Sequence, residues 1–239
     1  MKIIFDASDP WPQYLSRLNE LIKDNGLKHV CEIGGGAFPA LSLEQIKEQQ
    51  NLEYTVLDIS RAELERAPLE YLKVEADICD PDLKGEQKYD LIFSKMLAEH
   101  VLDAKIFHTN VYNLLKPGGI AFHFFPTLYS PPFVINRFVP EFLAKFIFNL
   151  FVRNDPVEHK RFSAHYNWCR GPIKKQINNL EKIGFEIIEY RGFFGHEYYK
   201  KIPVLRDLHK LTTRFLMRFP NAYLTSFSFT VLRKPISDG

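Results

Sequence analysis

The sequence predicts an α/β fold: a doubly wound, mostly parallel sheet of about seven strands, with helical insertions before and after the sixth. Three observations carry that expectation. Short apolar runs each end at a glycine cluster, an acid or a serine. Helix-length segments separate them, the alternation that builds βαβ units around a parallel sheet. Two late strand patterns lack a tight hairpin between them, so each joins the sheet across an inserted helix. The 239 residues, 46% of them hydrophobic, supply a sizeable core and exclude a disordered chain.

In order, a helical pattern over residues 11–25 precedes a strand at 27–33 that stops at three glycines. The run 52–57 ends at Asp58, 71–76 at Asp77 and 89–93 at Ser94. Their apolar, β-branched and aromatic content suits buried parallel strands. Helices are expected at 40–50, 61–66 and 96–115. The last is stopped by Lys116-Pro-Gly-Gly, because proline cannot continue a helix and glycine tolerates positive φ. A strand at 120–125 follows. A proline-rich turn then leads to a very apolar helix at 140–153, with a narrow polar stripe of Glu141, Lys145, Asn149 and Arg153. A helix at 172–183 runs into a strand at 184–190. A basic helix at 203–218 precedes the closing strand 224–232, where Phe227, Phe229 and Val231 alternate with small polar residues.

Three cysteines, Cys31, Cys79 and Cys169, form no C-x-x-C pair. That argues against a disulfide framework or zinc site and suits a reducing cytosol. The start, MKIIFDASDPWPQ, lacks a signal peptide's apolar run, and no stretch reaches the ~18 apolar residues of a membrane span. A soluble, cytoplasmic chain is expected. The net charge of +2 divides unevenly: residues 1–152 hold 15 Lys/Arg against 21 Asp/Glu, and residues 153–218 hold 14 against 7. An acidic front and a basic rear point the rear toward something anionic, unless the cations only solvate helix faces.

The chemistry concentrates at the strand ends. The turn Glu32-Ile33-Gly34-Gly35-Gly36-Ala37-Phe38-Pro39 lets backbone approach a ligand closely. A dinucleotide fingerprint would read G-x-G-x-x-G, and Pro39 stands at its last position. Asp58, at the end of the second strand, is placed to accept hydrogen bonds from ribose hydroxyls. Asp77, ending the third, is placed to meet an adenine amino group, with Ile59 and Ile78 as apolar walls. Glu32 offers a negative partner to an ammonium. Three acids at successive strand ends, with no phosphate binder among them, fit S-adenosylmethionine, a cation without phosphate.

The segments VCEIGGGAF, YTVLDIS, VEADICD, YDLIFSKMLAEHV, LLKPGGIAFHF, GFEIIEY and SFSFTVLRKP occur in an order that resembles the class I (Rossmann-like) S-adenosylmethionine-dependent methyltransferases. The resemblance implies that Glu32, Gly34, Gly35 and Gly36 hold the methionine end and Asp58 the ribose. It implies that Asp77 and Ile78 meet the adenine and that Ser94 lies beside the cofactor. It departs at Phe38, where the family usually has a third glycine. One domain over 1–239 is expected: a cofactor-binding half at 1–125, acceptor or lid insertions at 126–220 around the strand 184–190, and a closing strand and tail at 221–239.

On the acceptor side, His100, His165 and Tyr166 are the candidate catalytic residues, with His123, His159 and Trp168 as further options; no metal-ligand spacing is present. A hydroxyl acceptor benefits from a histidine base, so methyl transfer to oxygen of a small-molecule, glycan or lipid-linked acceptor is expected. The basic rear favours an anionic glycan or lipid and not nucleic acid, since no aromatic–basic stacking motif appears. In the helix 203–218, Arg206, Lys210, Arg214 and Arg218 recur every fourth residue, with Val204, Leu208, Leu211 and Phe215 on the other side. That pattern fits either a core-packed helix or peripheral contact with an anionic inner membrane face. Two rivals stand beside this reading. Tyr112 and Lys116 have the Y-x-x-x-K spacing of short-chain NAD(P)-dependent oxidoreductases, and a non-catalytic domain of the same fold would keep the acids.

Overall fold

A computed structural model describes residues 1–24, 26–49, 52–128 and 164–236. The front half runs β1 (Lys2–Asp6), α1 (Pro10–Asp24), β2 (His29–Ile33), α2 (Leu43–Glu48), β3 (Glu53–Asp58), α3 (Arg61–Arg66) and β4 (Leu72–Glu75). Then come β5 (Tyr89–Lys95), α4 (Ala104–Leu114) and β6 (Leu115–Pro126). The rear half contributes α5 (Lys174–Ile183), β7 (Glu186–Phe193), α6 (Pro203–Arg218) and β8 (Phe227–Arg233). The helix expected at 140–153, and His159, lie outside the described residues.

Among the described residues the strands form one eight-stranded sheet in the order β1-β7-β8-β6-β5-β2-β3-β4. Only β8 runs against its neighbours, paired antiparallel to β6 and β7 with Phe124 opposite Phe229 and Gly192 opposite Ser228. The fold is therefore the expected mostly parallel α/β sheet, with one more strand than expected. The addition is β1, parallel to β7 with Phe5 opposite Gly192. It is short, half-exposed and at the edge, so it carries no clean inward–outward alternation to read. Phe5 fixes it by stacking on Phe194 at 5.3 Å.

Helix starts moved where caps intervened. Helix α2 begins at Leu43 because Ser42 forms a capping box: its hydroxyl accepts from the Gln45 amide at 3.2 Å, and the Gln45 side chain accepts from the Ser42 amide at 2.8 Å. The helix expected from residue 96 starts only at Ala104, where the Asp103 carboxylate accepts from the amides of Lys105 and Ile106. Residues 96–103 instead turn at the end of β5 through a short 3₁₀ helix, Ala98–His100. Lys116-Pro-Gly-Gly does not follow a gap. It bulges out of β6, whose pairing with β5 jumps from Tyr89–Leu115 to Leu91–Ile120.

Helix α1 covers the sheet through Tyr14, which stacks on Phe122 and Phe124 at 5.1 and 5.0 Å. Such rings each bury a large apolar area and dominate the packing energy. On β5 and β6 the core takes in polar groups. Ser94 is fully buried and its hydroxyl lies 2.8 Å from Nδ1 of the equally buried His123. The His123 ring meets His108 at 5.4 Å, and His108 stacks on Trp168 at 5.6 Å. Burial pushes His108 down to about 3 and His123 well below the usual range, so both rings are neutral core members.

Candidate active site

The carboxyl ends of β2, β3, β4, β5 and β6 open on one edge of the sheet, because these strands are mutually parallel. Open α/β sheets bind ligands at that edge. There the chain leaves β2 through Gly34, whose φ of +75° is costly for any residue with a Cβ. The Gly34 amide donates to the Leu57 carbonyl at 2.8 Å and ties the turn to β3. At Gly35 a Cβ would stand 3.0 Å from both Glu32 Oε2 and Val56 Cγ1. Glu32 itself is 1% exposed. Its Oε2 accepts from the Ala40 amide at 2.8 Å and from the Tyr54 hydroxyl. Burial raises its proton affinity, and these donors, with Lys95 nearby, oppose the rise. Glu32 was expected to face an ammonium; it is found folding residues 34–40 back onto the sheet.

Asp58 is half-buried beside this turn. Its carboxylate accepts from the Ser60 amide at 2.9 Å and from the amides of Gly36 and Ile59. Desolvation still raises its proton affinity. The Ile59 side chain next to it is 60% exposed, an apolar surface on the open edge. Asp77 is also exposed, and its carboxylate accepts from the Cys79 amide at 2.8 Å. Two expected members fall elsewhere. Ile78 is buried in the core, where its carbonyl accepts from Asn110 Nδ2 at 2.9 Å, so it offers no wall. Ser94 is committed to His123 inside the sheet and does not line the edge. The residue found over the turn, and not anticipated, is Leu97, whose Cδ1 would lie 2.8 Å from a Cβ on Gly34. Phe38, the departure from the family pattern, does not plug the turn: its ring is exposed, under the Arg66 guanidinium at 5.7 Å.

The acceptor-side candidates meet around Glu99. The Glu99 carbonyl accepts from the amides of His165 and Tyr166 at 2.7 and 2.9 Å. His100 Nε2 lies 3.7 Å from Glu99 Oε1, with the imidazole about one-third exposed. Tyr166 is buried, so its backbone and not its exposure brings it here. Glu99 is 3% exposed and its buried Oε2 has no hydrogen-bond partner among the described residues. Burial pushes its carboxyl up to about 8. Three non-glycine residues with positive φ, Met96, Tyr166 and Trp168, flank this cluster, and such strain gathers at functional sites. A buried carboxyl is invisible in sequence; the adjacent histidine in Ala98-Glu99-His100 was the only signal.

The oxidoreductase pair is placed apart. Lys116, at the start of β6, donates to Asp90 at 2.7 Å and lies 3.1 Å from His29 Nδ1, and these residues begin β5 and β2 or flank them. That is the amino edge, opposite the turn. Tyr112 lies under the Lys234 ammonium at 4.7 Å. A separate cleft of about 510 Å³ opens where β1 and β7 end, lined by Asp9, His196, Tyr199, Lys210 and Arg214 among others.

Comparison with known proteins places the fold among methyltransferase-like structures. Residues 31–121 match the family described as a methyltransferase domain. No curated protein sequence matches the chain. Among solved structures, an S-adenosylmethionine-dependent methyltransferase from Mesorhizobium loti superposes with a TM-score of 0.59 at 18% identity, over 95% of this chain and 98% of its own. Phosphoethanolamine N-methyltransferase 2 of Haemonchus contortus, in complex with S-adenosyl-L-methionine, gives 0.55 at 16% identity. This chain is 94% covered there but spans only 53% of that enzyme. The [4+2]-cyclase SpnF gives 0.54 at 14% identity, over 96% of this chain and 85% of its own. At these identities the likeness is one of fold.

The buried carboxyl sets a pH signature. Its proton affinity rises from 4.5 to about 8 on folding, so the folded state holds a proton that the unfolded state releases between those values. The associated stability is complete below about pH 4.5 and lost as pH rises through about 8. Glu99→Gln removes that titration. Melting temperatures measured from pH 5 to 9 should fall more steeply in wild type than in the variant, and parallel curves would show Glu99 already ionised at neutral pH.

Proposed function

We propose that this chain, a Rossmann-like S-adenosylmethionine-dependent methyltransferase through its domain at residues 31–121, delivers the methyl group to an oxygen of a small-molecule, glycan or lipid-linked acceptor. The observation that supports the cofactor end is the bare turn at Gly34 and Gly35 beside the Asp58 carboxylate. The donor set fits the cofactor. Asp58 keeps acceptor capacity for ribose hydroxyls, and exposed Asp77 and Ile59 suit an adenine amino group and ring face. The carboxylates of half-buried Asp58 and exposed Asp77 suit a cationic sulfonium and oppose a pyrophosphate. When bound, S-adenosylmethionine supplies an electrophilic methyl that needs alignment more than activation.

The remaining work belongs to this chain's own residues. The 34–40 loop and Leu97 close the turn side, while the 164–171 segment is held on the acceptor side by Glu99 and by Leu128, whose amide donates to the Cys169 carbonyl at 3.2 Å. His100 takes up the proton of an acceptor hydroxyl at Nε2. Burial keeps the Glu99 carboxyl neutral to about pH 8, so although it lies 3.7 Å away it supplies no counter-charge, and the imidazolium passes its proton on to solvent through the exposed part of the ring. Nitrogen is the competing acceptor atom. A base adds more for a hydroxyl, and His100 favours oxygen on that ground.

The cationic cleft favours an extended, anionic acceptor. It sits at the ends of β1 and β7, and four strand spacings separate β7 from β2, roughly 19 Å. A glycan- or lipid-linked acceptor carrying phosphate or carboxylate spans that distance. On this reading the protein works in the cytoplasm.

Two measurements follow. Asp58→Ala removes one or two charge-assisted hydrogen bonds, so calorimetry should show S-adenosylhomocysteine binding weakened by roughly 2–3 kcal/mol, about 30- to 150-fold; wild-type affinity would remove Asp58 from the site. With a hydroxyl acceptor, His100→Ala should slow turnover by about 10²- to 10⁴-fold without altering S-adenosylhomocysteine affinity. An unchanged rate would assign the proton to another group.

A further inference from the structure

Helix α6 presents the wrong face to the protein. An apolar stripe ordinarily packs inward, yet only Thr213 and Leu216 of α6 are buried, with Arg206 and His209 partly so. Val204, Leu208, Leu211 and Phe215 are 78, 58, 63 and 60% exposed, and Phe219 just beyond continues them at 58%. At about 100° of rotation per residue, these five share one narrow face, roughly 140° from the face that meets the body. Lys210, Arg214 and Arg218 run along one flank of that stripe. Arg206 is not part of the flank: it turns inward and is committed to Asp207 at 2.8 Å. Thr213 Oγ1 donates to the Phe194 carbonyl at 3.4 Å, just past the end of β7, so α6 is carried on the same edge of the sheet as the candidate site.

From this arrangement we infer that α6 is an interfacial helix, which lays Val204, Leu208, Leu211, Phe215 and Phe219 into an anionic lipid surface while Lys210, Arg214 and Arg218 meet its headgroups. Charge complementarity selects this occupant. A row of about 24 Å with apolar side chains outward and three cations on its flank matches the acyl–headgroup boundary of an anionic leaflet. A second copy fits worse, because antiparallel pairing of two such stripes about a twofold axis brings the two cationic flanks together. Among the described residues no helix is long and apolar enough to cross a membrane, and an in-plane helix needs none. The surface also places the cleft of Lys210 and Arg214 beside lipid headgroups.

Co-sedimentation of the full chain with vesicles tests it, using phosphatidylcholine alone and phosphatidylcholine with one-quarter phosphatidylglycerol, at low and high salt. Wild type should bind the anionic vesicles, with affinity falling as salt rises. Replacing Lys210, Arg214 and Arg218 with Gln should cost on the order of fivefold per cation on anionic vesicles. Replacing Leu208, Leu211 and Phe215 with Ser should abolish binding. All three positions are exposed, and unchanged circular dichroism and melting temperature would verify folding. Absent binding of wild type to anionic vesicles at low salt would overturn the inference. So would equal binding of wild type and the Ser variant, or a wild-type dimer that the Ser variant turns into a monomer. The readout is independent of methyl transfer, so it stands or falls separately from the proposed activity.

Discussion

At Gly35 the backbone passes so close to the sheet that a methyl group would touch Glu32 and Val56 at 3.0 Å each. That approach is possible because Glu32 is buried with its Oε2 held by the Ala40 amide and the Tyr54 hydroxyl. A buried carboxylate is costly unless it is satisfied, and here its partners come from the loop it anchors and from the next strand. The contact therefore does two things at once. It neutralises the cost of Glu32, and it fixes the 34–40 loop next to Asp58. Exposed Ile59 and Asp77 stand on the same open edge beyond it.

A second buried carboxyl repeats the device with the opposite result. Glu99 holds the 164–171 segment through its carbonyl, but its side chain has an oxygen unpartnered among the described residues and a raised proton affinity. Glu32 braces; Glu99 is left poised. The two clusters stand at the ends of neighbouring strands, β2 and β5, and the buried rings of His108 on α4 and His123 on β6 are neutral by burial.

Much of the sheet was legible because each parallel strand ends at a punctuating residue, and Glu32, Asp58 and Asp77 mark three successive ends. What failed did so for physical reasons. Ser94 lies inside β5 and alternation turns it to the core, while Ile78 sits in the turn beyond β4 with its side chain buried, which tertiary packing and no local pattern decides. The segment 96–103 has helical spacing, yet Asp103 caps a later start and Met96 adopts a positive φ. Strand β1 is an edge strand without alternation. For α6 the periodicity located the helix to the residue, but amphipathicity alone does not say which face meets the protein, and the apolar face turned outward. Burial of Glu99 is a tertiary property that no local pattern encodes.

The central claim is that the turn at Gly34 and Gly35 with Asp58 receives a nucleoside carrying a sulfonium and not a dinucleotide. The most direct measurement is a melting-temperature series with saturating S-adenosylmethionine, S-adenosylhomocysteine, NADH and NADPH, since a ligand that binds only the folded state raises the melting point by mass action. Stabilisation by the two sulfur nucleosides, with none by the nicotinamide dinucleotides, is the predicted result. Stabilisation by NADH or NADPH alone would contradict it.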